Sequence, residues 1–99
     1  EKKAALREAE RCVAALRGRK YISARLFSLG YRGDATEAAD EYMKSVDFPA
    51  LCAQFIEKKY GGALPDEPHE RDRAVAALMR RGFSGSDIRE ATRKLGSHK

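Results

Sequence analysis

Two cysteines and two histidines are the side chains that could bind a metal or form a covalent link. Cys12 and Cys52 are isolated from each other, and His69 and His98 lie far from both. A zinc site needs about four such ligands at suitable spacing. Each cysteine falls on an apolar helix face, which is typical of small core residues in a reducing compartment such as the cytoplasm. The sequence therefore predicts neither a metal site nor a disulfide.

Acidic residues also occur in groups that acid–base chemistry could use. Glu8 and Glu10 form one group, and Glu37, Asp40 and Glu41 form another, both on polar helix faces beside basic residues. Such groups are ordinarily intrahelical charge pairs, worth roughly 0.2–0.5 kcal/mol each. No nucleophile motif or phosphate-binding loop accompanies them, so we expect a protein that is not an enzyme and needs no cofactor.

Positive charge is the remaining chemical feature. The chain has 20 Lys and Arg residues against 15 acidic ones, a net charge of +5. Cations in the last turn of a helix favour its dipole, and a further excess can simply be solvated. The same excess permits binding to an acidic protein surface or to nucleic acid. The cations predicted to bind a partner surround two helix corners: Lys20, Arg25, Arg80, Arg81, Arg89, Arg93 and Lys94.

The second of these corners carries four agreeing local signals. Gly82 marks a helix end, because the residue after a helix often needs positive φ. Ser84 is the predicted N-cap of the next helix, and Asp87 is its partner in a capping box. Phe83 and Ile88 lie where a hydrophobic staple forms across such a start. The stretch predicts two helices joined by a tight corner.

The corner also occurs earlier in the chain, after a shift of 52 residues. The shift places a glycine, the aromatic residue after it and the leucine before it in the same order. We therefore predict an internal repeat of helix–corner–helix units. The matched pairs are Ala24 with Ala76, Leu26 with Leu78, Gly30 with Gly82, Tyr31 with Phe83, Gly33 with Gly85 and Ala39 with Ala91.

Apolar residues recur at helical spacing along the whole chain, and no stretch alternates as a strand would. The predicted helices cover about 2–17, 20–29, a third after Asp34, a fourth from Asp47 to Tyr60, then 69–81 and 85–95. Residues after 95 should fray. The fold class is all-α, with six helices in two tandem three-helix units, 1–46 and 47–99, in an elongated arrangement.

Local residues predict where several helices begin and end. Gly18 should end the first helix, and Asp34 should cap the third with Glu37 as its box partner. Asp47 should cap the fourth, where Pro49 fits the first turn because that turn lacks a hydrogen bond for its missing N–H.

Helical spacing also assigns the buried faces. Leu29 should lie on the buried side of the second helix and Met79 on that of the fifth. The aromatic side chains are all assigned to the core. The residues expected to line these two faces are Ile22, Leu26 and Leu29 in the second helix and Ala74, Val75, Leu78 and Met79 in the fifth.

A helix-turn-helix that binds DNA is the alternative function for the basic surface. The spacing from Gly82 to Ile88 fits the turn and recognition helix of that motif. Leu78, however, lies where the motif usually has a small residue, and Asp87 and Glu90 would face phosphates poorly. DNA binding is therefore the second hypothesis.

The same stretches resemble the RecX regulatory proteins. Residues 55–61 (FIEKKYG), a proline-containing loop, and residues 78–84 (LMRRGFS) followed by Ile88 are similar to the C-terminal repeat of that family. Residues 19–26 and 29–31 are similar to its middle repeat. The resemblance covers residues 9 to 95. RecX proteins usually carry three repeats; this chain matches the last two and lacks the acidic pair that precedes the middle repeat's first helix.

The resemblance implies both fold and function. RecX proteins are tandem three-helix repeats that bind RecA recombinase within the groove of its filament on DNA, limiting filament growth and strand exchange without a cofactor or a reaction. A monomer that contacts the RecA filament, with single- or double-stranded DNA alongside and no membrane, is therefore expected. The chain begins at Glu1 without a methionine, so we expect a piece of a longer protein.

Overall fold

The structure, a computed structural model, describes residues 2–96. This part of the chain is all-helical and has no strand, as predicted. It is elongated, with principal extents of 45 × 25 × 19 Å. The six α-helices are α1 (Lys2–Ala14), α2 (Arg19–Ser28), α3 (Glu37–Lys44), α4 (Phe48–Tyr60), α5 (Pro68–Arg80) and α6 (Gly85–Gly96), with a 3-10 turn at Gly33–Thr36. The predicted fraying after residue 95 concerns mainly residues 97–99, which lie outside the described part; Gly96 is the last residue of α6.

The helices pack within two groups of three. Helix α1 lies against α2 and α3, while α6 lies against both α4 and α5. A continuous set of buried side chains runs through both groups, including Ile22, Met43, Ile56, Leu78 and Phe83. The all-α class and the paired three-helix units are confirmed. The division between residues 46 and 47 stays a prediction.

Two of the predicted helix starts are confirmed by their hydrogen bonds. The Asp47 carboxylate accepts the amide of Ala50 at 3.0 Å at the start of α4. At the start of α6, the Ser84 hydroxyl accepts the amide of Asp87, and the Asp87 carboxylate accepts the amide of Ser84, each at 3.0 Å. These bonds satisfy amides that the first helical turn cannot pair, which stabilises both starts.

The prediction for the start of the third helix is wrong. Asp34 lies inside the 3-10 turn, and Thr36, at the N-cap of α3, makes no side-chain cap bond. The Thr36 hydroxyl instead donates to the Gly33 carbonyl at 2.9 Å, within the 3-10 turn. That bond holds the chain in a 3-10 turn before Glu37, so α3 begins later than the capping pattern indicates.

The predicted end of the first helix is also wrong. Helix α1 ends at Ala14, the chain turns at Leu16 with φ of 61°, and Gly18 is the N-cap of α2. Gly18 has φ of −86°, so no positive dihedral explains its presence. Its role becomes clear only from what it contacts in the second corner.

Candidate partner-binding surface

The two predicted corners have the same backbone hydrogen bonds. In the first, the amide of Gly30 donates to the Phe27 carbonyl and the amide of Tyr31 to the Leu26 carbonyl, both at 3.0 Å. The second has the same two bonds 52 residues later, at 2.9 and 3.2 Å. The glycines have φ of 91° and, at Gly82, 103°. The repeat of the corner is therefore confirmed at the level of individual bonds.

The second corner is pressed against the start of α2. The amide of Gly18 donates to the Arg81 carbonyl at 2.8 Å, and the amide of Lys20 donates to the Gly82 carbonyl at 3.1 Å. A Cβ atom on Gly18 would lie 2.2 Å from the Gly82 carbonyl carbon, and one on Gly82 would lie 2.4 Å from the Tyr21 amide nitrogen. Two backbones touch here, so glycine is required on both sides.

The Arg81 side chain belongs to this contact. Its Nε donates to the Leu16 carbonyl at 3.2 Å and its Nη2 to the Ala15 carbonyl at 2.6 Å, while the guanidinium lies 4.2 Å from the Phe55 ring centroid. Burial, with Arg17 nearby, lowers the pKa of Arg81 from its ordinary value. Arg81 therefore lies between the residues that follow α1 and the middle of α4, and two of its N–H groups donate to backbone carbonyls of the chain.

Three other predicted cations have acidic neighbours. Arg25 Nε lies 3.1 Å from a Glu8 carboxylate oxygen, and the hydrogen bond to Glu8 raises the pKa of Arg25. Lys94 Nζ lies 3.5 Å from the Asp47 carboxylate. Arg93 is exposed and pairs with Glu90. The Arg93 and Lys94 pairs are exposed on both sides and contribute about 0–1 kcal/mol each, so these two cations can exchange them readily for a partner's carboxylate. The Arg25 pair is partly buried, because the Glu8 side chain is only 12% exposed.

Lys20, Arg80 and Arg89 complete the predicted set. All three are exposed, and their side chains have no ion pair or hydrogen bond within residues 2–96. Because the amide of Lys20 bonds to Gly82, the structure brings Lys20 close to the end of α5, where Arg80 lies. Arg89 lies separately, on α6.

Apolar side chains at the corners are more exposed than helical spacing predicts. Phe27 is 63% exposed, Met79 51% and Leu29 45%. The predictions that Met79 and Leu29 face the core, and that every aromatic is committed to it, are therefore wrong. Phe27 and Met79 are equivalent under the 52-residue shift, three positions before the corner glycine, so the repeat itself was the signal that could have identified them.

The exposed Phe27 is covered on one face by a cation. The Arg32 guanidinium lies 3.6 Å from the Phe27 ring centroid, and its Nη1 donates to the Phe27 carbonyl at 2.8 Å. Stacking of this kind holds the ring without burying it. The sequence gives no signal for it, because Arg32 lies in the corner, outside any helix.

The two cysteines are free and buried, as predicted for small core residues. Burial, and to a lesser degree Asp87, raises the pKa of Cys52 to about 12. Burial likewise raises the pKa of Cys12, whose thiol lies 3.9 Å from a Glu8 carboxylate oxygen. Both side chains are therefore thiols, rather than thiolates, near neutral pH.

The described residues contain no group of three or more His, Cys, Asp or Glu side chains arranged to hold a metal ion. Over the same part of the chain, no helix is both long and apolar enough to cross a lipid bilayer.

Comparison with known protein families gives a match in the second unit. Residues 47–92 match the family model described as RecX, third three-helix domain. The matched segment begins at the cap of α4 and includes α5, the second corner and most of α6. Neither the curated proteins nor the solved structures that were searched contain a match.

Proposed function

The chain belongs to the RecX family through residues 47–92, and we propose on that basis that it binds RecA recombinase filaments and limits their extension and activity. The protein would act in recombination and the SOS response, in the cytoplasm, as a monomer. It would act by binding alone, without a cofactor and without a reaction.

The family match is the observation that carries this proposal. The architecture supports it, because the second corner joins the two three-helix units at the start of α2 and the described chain forms a rod about 45 Å in length. A rod of this kind can contact more than one subunit of a helical filament at once, and simultaneous contacts multiply affinity. The net charge of +5 adds attraction to an acidic filament surface or to phosphates beside it.

The predicted contact residues divide into three groups by what they do within the chain. Lys20, Arg80 and Arg89 project without an internal partner and are the first candidates to contact the filament. Arg25, Arg93 and Lys94 would exchange an existing ion pair for one with the filament. Arg81 would contribute indirectly, because its guanidinium is engaged in holding the two units together.

A RecA ATPase assay on single-stranded DNA tests the proposal. We expect inhibition by the chain at amounts well below RecA, weakened at least fivefold in the double variant Lys20→Glu, Arg80→Glu. The matched control is Lys3→Glu, Arg7→Glu, which makes the same charge change at exposed positions on α1. An equal loss in both double variants would mean that net charge alone acts; no inhibition by the original chain would refute the proposal.

The helix-turn-helix alternative is an outcome of the same experiment. On α6, the Asp87 carboxylate accepts a backbone amide and the Glu90 carboxylate pairs with Arg93, which leaves Arg89 as the exposed cation of the first two turns. If the chain binds naked duplex DNA tightly with a sequence preference and leaves RecA unaffected, DNA recognition replaces filament binding.

A further inference from the structure

A groove between the end of α4 and one face of α5 carries unneutralised positive charge. Lys59, Arg73 and Arg80 line it, and Glu70 is the one carboxylate among its lining residues in the described part of the chain. Arg73 and Arg80 have no ion pair or hydrogen bond within residues 2–96. The groove is open to solvent and has a volume of about 370 Å³, within the roughly 300–1,000 Å³ range of ligand clefts. The positive charge of the groove favours binding of a negatively charged ligand.

The floor of the groove is apolar and built of small groups. Ala74 is buried and Ala77 half-buried, one beside the other on α5, and Tyr60 of α4 is half-buried next to them. Lys59 Nζ lies 5.6 Å from the Tyr60 ring centroid and covers that ring. A nucleic acid base would need an open aromatic face to stack on. Methyl groups fit an aliphatic side chain instead, so this floor favours a polypeptide.

The first unit fills the corresponding position. The 52-residue shift places Arg25 of α2 where α5 has Ala77. Arg25 reaches across to Glu8 of α1 at 3.1 Å, and this ion pair occupies the space beside α2. In the second unit this position is Ala77, whose methyl group leaves the space beside α5 open. The groove is therefore a property of the second unit.

We propose that this groove binds an extended acidic segment of a partner protein. Arg73 and Arg80 are seven residues apart on one helix, which is about 10.5 Å along its axis at 1.5 Å per residue. Residues that share one face of an extended chain are two or four apart, and four residues span about 13 Å at 3.3 Å each, a distance that the long arginine side chains can match. Carboxylates four residues apart in the segment would contact the two arginines, and the aliphatic side chain midway between them, on the same face, would lie on Ala77. This inference rests on the proposed function in taking the RecA filament as the protein that supplies the segment.

A labelled peptide tests the groove directly. The probe is a fluorescein-labelled decapeptide with Asp and Glu four residues apart and a single Leu midway between them, and its binding is followed by fluorescence anisotropy. We expect the double variant Arg73→Glu, Arg80→Glu to weaken binding at least tenfold, and Lys3→Glu, Arg7→Glu to change it less than twofold. Ala77→Gln, which fills the groove without changing charge, should weaken binding at least threefold. The same peptide with Gly in place of Leu should bind more weakly.

Three results would overturn the groove assignment. The first is no peptide binding by the original chain. The second is an equal loss in the control double variant, which would mean that net charge alone acts. The third is tighter binding of a ten-nucleotide oligothymidylate through the same arginines, which would assign the groove to nucleic acid. Circular dichroism of each variant checks folding, and Ala77→Gln keeps the test decisive if the double charge reversal unfolds the chain.

The RecA assay separates this inference from the proposed function. Inhibition of RecA that is insensitive to Ala77→Gln, together with absent peptide binding, would refute the groove and leave the function standing. Peptide binding that is lost in Ala77→Gln, with no effect of the chain on RecA, would refute the function and leave the groove standing.

Discussion

The two corners share their backbone hydrogen bonds and differ in what surrounds them. Around Gly30 a Cβ atom would meet nothing within 4 Å, whereas at Gly82 it would meet the Tyr21 amide nitrogen at 2.4 Å and the Gly18 carbonyl oxygen at 2.8 Å. The same local conformation thus ends a helix in open space in the first unit and forms a backbone contact between units in the second. The corner conformation occurs in both units, and only the corner at Gly82 joins one unit to the other.

The difference extends to the residue before each glycine. Leu29 is 45% exposed in the first corner, while its equivalent, Arg81, donates to two backbone carbonyls of the α1–α2 connection in the second. The connection between α1 and α2 has carbonyls that no helix satisfies, and a guanidinium from the other unit pairs them. The second corner is therefore the joint of the rod, and the first is an exposed surface.

Gly82→Ala should have the largest effect of any single change at the corners. It combines a left-handed φ, which costs a non-glycine residue about 1–2 kcal/mol, with a clash against backbone that cannot move aside, at about 2–3 kcal/mol. We expect the free energy of unfolding, measured by urea denaturation, to fall by about 3–5 kcal/mol. The matched variant Gly30→Ala, with the same φ and open space, should lose about 1–2 kcal/mol. Equal losses at the two positions would mean that the joint contributes nothing.

Gly18→Ala tests the backbone contact between Gly18 and Gly82 without the added strain of a positive φ. Gly18 has φ of −86°, which any residue adopts, but its Cβ would lie 2.2 Å from the Gly82 carbonyl carbon. We expect a loss of about 2–3 kcal/mol from overpacking alone. The losses for Gly18→Ala and Gly30→Ala should then sum approximately to that for Gly82→Ala. If the free energy of unfolding fell by less than about 0.5 kcal/mol in urea denaturation, the contact between Gly18 and the second corner would contribute nothing to stability.

Arg81→Leu should cost about 2 kcal/mol, because charge-assisted hydrogen bonds to the Ala15 and Leu16 carbonyls are lost. The leucine keeps apolar contact with Phe55, so the lost hydrogen bonds dominate the change. The equivalent change in the first corner, Leu29→Ala, should stay within about 0.5 kcal/mol, as expected for an exposed side chain. Thermal unfolding followed by circular dichroism compares the two variants. If Arg81→Leu left the stability unchanged, it would contradict the role of Arg81 in joining the two units.

Asp87→Ala should have the smallest of these effects, about 1 kcal/mol, from loss of one half of a capping box. The control is Asp34→Ala at the start of the other unit's last helical segment, where the structure has no cap bond. That variant should change the free energy of unfolding by less than about 0.5 kcal/mol. If Asp34→Ala lowered the stability as much as Asp87→Ala, Asp34 would be a cap of the third helix, as the sequence predicted.

Much of the fold followed from local residues. The positive φ at Gly30 and Gly82 and the caps at Asp47 and Ser84 depend on atoms within about four residues along the chain, and their residue types identify them. The helix count and the two buried cysteines follow from short-range periodicity, and the repeat follows from matching two short stretches 52 residues apart. For the candidate surface, the sequence identified the cations but not their state of pairing.

Tertiary structure alone decided which of the two corners joins the units and which residues contribute to that contact. Gly18 looked like a helix stop because its contact with Gly82 joins positions 64 residues apart, and no local pattern records such a pair. Arg81 looked like a free surface cation for the same reason, since its acceptors lie on the connection after α1. The sequence by itself determined two similar corners and the charge around them. Which corner became a joint depended on the close approach of two backbones, a distance that is fixed only when the whole chain packs.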